Sequence, residues 1–413
     1  MMKPIENALH TLYRYDKQDI IRAFLSAAVH YPASVCVWRL PEQQQTVILA
    51  SCRHHLTTLD DALHINSRGF IISPFDVIEG RGILYIPADV CVVIQEQQVV
   101  DLFIGDASSG LPLLTMVIDI LHQSVTPPMP YHILSSPVLY NNEEKSHFIE
   151  IVEQGILAIK QAKLKKIVPA RRKIIDIIHP ISPETIFYQL CKRYASAFVS
   201  FISIPEFGTW IGASPELIIH VNRDQMFKTV AIAGTQSYNK GMDVSQATWT
   251  EKEIEEQALV SRFIIDQFKT IRVREFEESG PRTMIAGNIL HLKTEFTVDL
   301  KAVQYPDLAI VMLKLLHPTS AVCGMPKKES RLFLQHHEAF PRKLYGGYLG
   351  PVNIDHETHV YVNIRCMELL NRSAVLYAGA GVTLNSDPQK EWLETELKCQ
   401  TLESVINYRF SDK

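Results

Sequence analysis

Short β-rich runs and long amphipathic helices follow one another along the whole chain, and this mixture limits the folds that it can adopt. Apolar residues spaced three or four apart predict helices over residues 251–271 and 387–410. Runs rich in β-branched and aromatic residues predict strands, for example at 46–52, 69–75 and 209–221. The two kinds of element do not alternate in the regular order that a parallel sheet with crossover helices requires. The pattern therefore predicts the α+β class.

The composition is that of a globular protein, and it excludes several other classes. Of the 413 residues, 46% are hydrophobic and 21% are charged, and the formal net charge is −4. This balance offers no general electrostatic attraction for nucleic acid. No apolar run approaches the roughly 18 residues that span a bilayer, and the first residues contain no apolar signal core. We therefore expect a cytoplasmic protein without nucleic-acid or membrane partners.

The seven cysteines are dispersed along the chain, and none forms a C-x-x-C pair. An odd, scattered set in a chain of this length is typical of reduced cytosolic thiols, rather than of a disulfide framework or a cysteine zinc site. We expect all seven to fill structural positions as small apolar side chains.

Two acidic pairs occur on predicted helices with a spacing of three residues, which places each pair on one helical face. Glu253 and Glu256 form the first pair, and Glu391 and Glu394 form the second. Each pair is compatible with a solvated face that is balanced by lysines. The alternative is that two helices present carboxylates to one divalent ion. Because these ligands are all oxygens, the ion would be Mg²⁺ rather than zinc or copper.

Charged residues also interrupt apolar strand patterns, namely Lys166 before Ile-Val-Pro-Ala, Glu216 after Gly-Ala-Ser-Pro, and Arg365 within Asn-Ile-Arg-Cys. Such a charge lies either on an exposed sheet face or in an interior that has a use for it. Glycine-containing turns at 233–235 and 377–381 are places where backbone amides can approach an anionic ligand. Turn geometry alone would also explain each of them.

The order of the short motifs is similar to that of the chorismate-binding enzymes, from about residue 143 to residue 408. These motifs are KIVPAR, GASPE, AIAGT, the E-x-x-E helix, HLKT, LHPTSAVCGMP, YGGYLGP, NIRC, LYAGAG and EWLETELK. The resemblance implies large mixed, mainly antiparallel sheets packed with helices, as in anthranilate and aminodeoxychorismate synthases. It also implies one unit over residues 1–413, in which 1–140 is more variable and 143–410 is catalytic. Chorismate would be the small-molecule substrate, and no obligatory protein partner is expected.

The resemblance also implies the catalytic and metal-binding residues. Lys166 would be the general base for water, which requires burial or nearby cations to lower its pKa. Glu216 would be the general acid for the departing hydroxyl, which requires a raised pKa. The implied Mg²⁺ ligands are Glu256 and Glu394, with Glu253 and Glu391 close by, directly or through water.

The substrate-binding residues are implied in the same way. Arg365 and Tyr345 would hold the enolpyruvyl carboxylate, helped by amides near Gly379 and Gly381. Lys398 resembles a family lysine that reaches a substrate carboxylate. The other pocket residues that the resemblance implies are Gly234, Thr235, His291 and Thr319.

The choice among family members depends on the nucleophile. Lys166 occupies the position of the base in members that use water. Ala233 stands where some aminodeoxychorismate synthases carry a lysine nucleophile, in P-I-K-G-T. The segment HPTSAV at 317–322 resembles isochorismate synthases. The resemblance therefore implies a Mg²⁺-dependent, reversible conversion of chorismate to isochorismate, in which water adds at C2 and the C4 hydroxyl departs.

Other functions remain open at this point. A salicylate synthase would perform the same first step and then eliminate pyruvate. Anthranilate synthase component I would need a glutaminase partner. A catalytically silent relative would bind chorismate without converting it. Isochorismate itself would serve either menaquinone or siderophore biosynthesis, and the sequence does not distinguish between them.

Residues 163–173 carry six cationic side chains in eleven residues, which is the one feature that favours a nucleic-acid-binding module. Strand alternation divides this segment into two faces. If the resemblance holds, Lys166 faces a buried pocket, whereas Lys163, Arg172 and Lys173 are expected to be solvated.

Three features depart from the family pattern, one of which is YGGYLGP in place of the frequent Y-A-G-P-V-G. Pro169 stands where a larger aliphatic residue is usual, and proline removes a backbone donor, so we expect an edge or a bulge there. Gln257 replaces a common histidine or asparagine after the glutamate at 256.

Overall fold

The computed structural model describes residues 2–64, 68–76, 82–123, 131–134, 144–177, 181–238, 243–244, 247–286 and 289–406. The boundary that we expected between the variable and catalytic parts, after residue 140, lies outside these ranges. The last residues of the predicted C-terminal helix, 407–410, also lie outside them.

The described residues form ten helices. They are α1 (Met2–Leu12), α2 (Lys17–His30), α3 (Leu59–His64), α4 (Ala107–Gln123), α5 (Glu144–Lys160), α6 (Pro183–Arg193), α7 (Glu251–Thr270), α8 (Leu308–Leu316), α9 (Lys327–His337) and α10 (Pro388–Ile406). Helix α7 begins at Glu251 because Thr250 and Glu253 form a capping box in front of it. No helix in the described ranges is long and apolar enough to cross a membrane.

The first sheet contains nine strands of the described chain, and all of its ladders are antiparallel. In spatial order they are β7 (Gln98–Ile104), β6 (Val90–Gln95), β2 (Thr46–Ser51), β1 (Ser34–Arg39), β10 (Phe198–Ile204), β11 (Gly208–Ser214), β19 (Cys366–Leu369), β20 (Ser373–Gly379) and β9 (Ala170–Asp176).

The second sheet also contains nine described strands in antiparallel ladders. Their order is β14 (Glu277–Ala286), β15 (Ile289–Asp299), β13 (Met226–Ser237), β12 (Leu217–Val221), β18 (Thr358–Val362), β17 (Tyr348–Val352), β4 (Gly69–Ser73), β5 (Ile83–Pro87) and β3 (His55–Thr57). Strands from the first third of the chain therefore belong to both sheets. This architecture confirms the predicted α+β class with mainly antiparallel sheets.

The two sheets pack face to face, with helices on their outer sides. On β1, Val35 and Val37 belong to a core shared with helices, whereas Cys36 and Trp38 belong to a core between the sheets. This division follows from the alternation of side chains along a strand. The core between the sheets is rich in aromatic residues, including a stacked contact between Phe198 of one sheet and Tyr361 of the other.

The strand expected at KIVPA is interrupted. Lys166 and Ile167 form β8, which pairs with β16 (Gly324–Met325) in a small separate sheet, and Ile167 also forms an isolated bridge with Val382. The edge strand β9 of the first sheet begins at Ala170. Pro169 lies between them and its carbonyl accepts a hydrogen bond from Ala380 N at 3.2 Å. The missing donor of proline thus coincides with a change of sheet rather than with a bulge.

At two of the points where the chain passes from one sheet to the other, the connection contains a charged residue. Glu216 lies between β11 of the first sheet and β12 of the second. Arg365 lies between β18 of the second sheet and β19 of the first. Side chains at both crossovers therefore lie at the seam between the sheets.

Candidate active site

Most of the side chains that the sequence predicted to be functional line one cleft at this seam. The predicted residues that line it are Lys166, Glu216, Gly234, Thr235, Glu256, His291, Tyr345, Arg365, Gly379, Gly381, Glu394 and Lys398. They come from both sheets, from the small sheet and from two helices. The basic segment at 163–173 is therefore not a single patch, because Lys166 faces this cleft while Lys163 and Lys165 are exposed.

The pKa values of two buried groups in this cleft are shifted in opposite directions. Lys166 is 2% exposed, and burial lowers its pKa, with Lys398 and Lys252 adding to the effect against Glu256. Glu216 is 5% exposed, and burial raises its pKa to about 7. The cleft thus favours an uncharged lysine and a protonated carboxyl group, which are a base and an acid.

Glycine at position 381 keeps space open in front of Lys166. A Cβ atom there would lie 3.4 Å from Lys166 Nζ and 3.4 Å from Glu256 Oε2. The lysine amine and the Glu256 carboxylate therefore border the same part of the cleft. A side chain at this position would fill that part of the cleft.

The Arg365 guanidinium is held by a histidine with a defined tautomer. Burial, followed by the charge of Arg365, lowers the pKa of His291 to about 3, so its ring is neutral. Its Nδ1 donates to Gly234 O at 2.6 Å, and its Nε2 accepts from Arg365 Nη2 at 3.0 Å. Gly234 and Thr235 lie at a β-bulge of β13, and such bulges commonly redirect backbone next to active sites.

Arg365 itself has a left-handed backbone conformation, with φ of +49°. This region is unfavourable for a residue with a Cβ, and it is often found where a side chain must be aimed precisely. The guanidinium is buried, and it directs positive charge into the cleft.

Lys398 provides a second cation one helical turn beyond Glu394 on α10. Its Nζ donates to Gly379 O at 2.8 Å and to Glu394 Oε1 at 2.7 Å. Lys398 and the neighbouring Lys252 outweigh burial and lower the pKa of Glu394. Glu394 is therefore an ionised carboxylate at neutral pH.

Lys252, which belongs to none of the motifs, lies among three of the glutamates. Lys252 Nζ is 2.8 Å from Glu391 Oε1, 3.2 Å from Glu256 Oε1 and 3.9 Å from Glu394 Oε2. Burial alone would lower the pKa of Lys252, but the three carboxylates raise it above the usual value. In the sequence, Lys252 stands four residues before Glu256. This spacing predicts an ion pair on the helix surface and gives no indication of the other two glutamates.

The carboxylates around Lys252 fit a hard divalent cation. Glu256 Oε1 and both carboxylate oxygens of Glu391 accept no hydrogen bond of good geometry within the described residues, although the ammonium lies within ion-pair distance. Burial and the Glu394 charge raise the pKa of Glu391 to about 7. Oxygen donors with unused acceptor capacity suit Mg²⁺. An ion among them would have to compete with the Lys252 ammonium.

Three predicted residues do not line the cleft in the expected way. Glu253 caps α7, because its Oε2 accepts from Thr250 N at 2.7 Å and from Gln236 Nε2 at 2.9 Å. Glu391 is buried behind Lys252. Thr319 contacts Glu216 rather than the cleft itself: its hydroxyl donates a hydrogen bond to Glu216 Oε1 at 2.9 Å.

Two other expectations about the basic segment require correction. Arg172 and Lys173 are half-buried rather than solvated. Arg172 lies over the Phe340 ring, and Lys173 pairs with Glu396 at 2.8 Å. Both serve packing against neighbouring elements and not the cleft.

Curated relatives of the chain have a common activity in their names. The chain is 24% identical to isochorismate synthase MenF of Escherichia coli K12 over 268 residues, which are 64% of this chain and 61% of that protein. It is 28% identical to isochorismate synthase MenF of Haemophilus influenzae over 260 residues, which are 62% of this chain and 59% of that protein. The matched part therefore spans about three fifths of each relative's length.

A solved structure shares the fold. The Escherichia coli menaquinone-specific isochorismate synthase MenF superposes with a TM-score of 0.72 at 20% identity, covering 91% of this chain and 89% of that chain. In sequence, residues 112–407 match the family described as chorismate binding enzyme. Because that match covers well over half of the chain, the protein belongs to the chorismate binding enzymes.

Proposed function

We propose that this chain is an isochorismate synthase, which converts chorismate reversibly into isochorismate with Mg²⁺. The observation that carries the proposal is the pairing of Lys166 and Glu216. These buried groups border one cleft, and their pKa values are shifted toward a neutral base and a protonated acid. The names of the curated relatives support the same activity.

The reaction needs both groups at once. A water molecule forms a new C2–O bond after losing a proton to Lys166, the ring double bond shifts, and the C4–O bond breaks as Glu216 protonates the departing hydroxyl. In the reverse direction the two groups exchange roles. Each proton transfer of this kind contributes about 10²- to 10⁴-fold to the rate.

The cationic side of the cleft is suited to the carboxylates of chorismate. We assign the enolpyruvyl carboxylate to Arg365, whose planar guanidinium is preorganised by His291. Tyr345, the amides near Gly379 and Gly381, and the Lys398 ammonium would complete this contact. Such fixed donors hold the ring in one orientation between base and acid.

The proposed Mg²⁺ site consists of Glu256 and Glu394. Glu391 is adjacent to it, with its Oε1 2.8 Å from Lys252 Nζ. When bound, the ion would neutralise the ring carboxylate and so reduce the cost of adding a nucleophile to the ring. Glu253 contributes at most through the helix cap, because its carboxylate is already occupied there.

A direct product assay tests the function. The purified protein with Mg²⁺ is expected to convert chorismate to isochorismate, with or without ammonium, and to lose activity with EDTA. Chromatography identifies the product. Salicylate with pyruvate would indicate a salicylate synthase, ammonium-dependent anthranilate would indicate an anthranilate synthase, and bound but unconverted chorismate would indicate a silent relative. Any of these outcomes contradicts the proposal.

Replacing Lys252 by methionine is expected to tighten Mg²⁺ binding by roughly tenfold, about 1.4 kcal/mol, because the competing ammonium is removed. Calorimetric titration of the substrate-free protein measures this directly. The matched control is Lys269→Met on the same helix, where the lysine is 70% exposed and pairs with Asp266. Unchanged or weaker Mg²⁺ binding in Lys252→Met would show that Lys252 does not occupy the cation position.

We also propose that the enzyme acts in the cytoplasm without an obligatory protein partner. All seven cysteines lie in the described ranges and are free thiols, which suits a reducing compartment. The proposed catalytic groups all belong to this chain.

A further inference from the structure

Two histidines and a glutamate converge on the second sheet, away from the residues that line the cleft. Strands β12 and β18 are antiparallel neighbours, and their register places His220 directly opposite His359. The two rings stack with centroids 4.0 Å apart and an angle of 15° between their planes. Glu357 stands two residues before His359, so strand alternation brings it to the same face.

The distances between the possible ligand atoms are close to those of a metal site. Glu357 Oε2 lies 3.0 Å from His359 Nε2 and 3.6 Å from His220 Nε2, and the three ligand atoms all lie within 4.8 Å of one another. In a tetrahedral zinc site, ligands about 2.0–2.1 Å from the ion are separated by roughly 3.3 Å. The separations are therefore in the range of a metal site, and the two stacked rings would have to rotate so that the in-plane lone pair of each Nε2 points at one ion.

The hydrogen-bonding capacity of His220 Nε2 is unsatisfied within the described residues. His220 Nε2 is buried and has no hydrogen-bond partner among the described residues, since the Glu357 oxygen at 3.6 Å is too distant. A buried polar atom without a partner is uncommon in folded proteins and requires an explanation. A metal ion between the rings and the carboxylate would provide that partner.

We propose that His220, Glu357 and His359 bind a divalent transition-metal ion of the zinc class. Two imidazole nitrogens and one carboxylate oxygen suit Zn²⁺, Ni²⁺ or Cu²⁺, whereas Mg²⁺ and Ca²⁺ prefer oxygen ligands alone. The Glu357 side chain is 30% exposed, so water can complete the coordination. The nearby Lys228 charge is offset by Glu295 at 2.9 Å.

The position of the site in the fold indicates a structural role. β12 begins immediately after Glu216, and β18 ends three residues before Arg365. Val362 N also donates to Glu216 O at 3.0 Å, which joins the ends of these strands. The ion would fasten the two strands that carry these residues, without contacting a ligand in the cleft.

Zinc titration of the chelator-treated protein tests the proposal, with excess Mg²⁺ present to occupy the glutamate cluster. We expect one Zn²⁺ per chain and a higher midpoint of thermal unfolding. His220→Gln and Glu357→Gln should each weaken zinc binding by at least about tenfold and abolish the gain in midpoint. Glu357 is partly exposed, so its variant is expected to fold, and circular dichroism checks this. The control is His336→Gln, an exposed position on α9.

Cobalt substitution identifies the ligands independently. Co²⁺ at this site should give visible absorption bands of tetrahedral nitrogen and oxygen coordination, and His220→Gln should remove them. Equal zinc affinity in the wild type and both variants would overturn the proposal. A thiolate-to-metal charge-transfer band would do so as well, because it would assign the binding to cysteine.

Discussion

Replacing Lys166 by methionine is expected to lower the turnover of chorismate by about 10²- to 10⁴-fold, because a thioether cannot take a proton from water. The fold should be preserved. Lys166 is buried, and burial is the main reason for its lowered pKa. Methionine keeps a side chain of similar length and avoids the desolvation of an amine. The thermal midpoint of the variant should therefore equal or exceed that of the wild type.

Steady-state kinetics and thermal unfolding measure the two effects separately. Lys165→Met is the matched control, since Lys165 is the neighbouring residue and is exposed. It should retain wild-type turnover and stability. Near-normal turnover in Lys166→Met would show that water is activated by another group. A large loss of stability would instead show that the amine is needed for packing.

Replacing Glu216 by glutamine should also reduce turnover by about 10²- to 10⁴-fold, because an amide cannot protonate the departing hydroxyl. The pH profile gives a second measure. On the basic side, the wild-type rate should fall as Glu216, whose pKa is raised to about 7 by burial, loses its proton. In Glu216→Gln the decline on the basic side should disappear from the residual rate.

A substitution next to Glu216 tests whether the fall in rate at high pH, the basic limb of the pH profile, is caused by this residue. Thr319 donates a hydrogen bond to Glu216, which favours the ionised form and lowers its pKa against the effect of burial. In Thr319→Val the pKa of Glu216 should therefore rise, and the basic limb should move to higher pH. A limb that stays in place would show that it belongs to another group.

Much of the fold class was predictable, whereas the arrangement of the sheets was not. Apolar spacing correctly indicated helix α7, and the mixture of elements indicated α+β. Pairing between β1 and β10 joins residues more than 150 positions apart in the sequence. Local sequence patterns do not indicate such contacts. All residues of β1 are buried, so the alternation between two faces is hidden in an apolar run.

The site shows the same limit at the level of single residues. The family motifs predicted that Lys166, Glu216 and Arg365 share one site, and all three residues line one cleft. The role of Glu253 was visible locally, because Thr250-x-x-Glu253 is a capping-box pattern. The role of Lys252 depends on Glu391 and Glu394 of a different helix, so only the tertiary structure reveals it.

The crossovers between the sheets bear on how far such a chain can diverge in sequence. Glu216 and Arg365 lie where the chain passes between the two packed sheets, so the packing of the sheets aligns them. Substitutions on the solvent-exposed faces of the helices should accumulate without changing the chemistry, whereas changes in the aromatic layer between the sheets should disturb acid and guanidinium together. A chain that shares only 20% of its residues with a solved relative can thus keep the same frame, with a TM-score of 0.72.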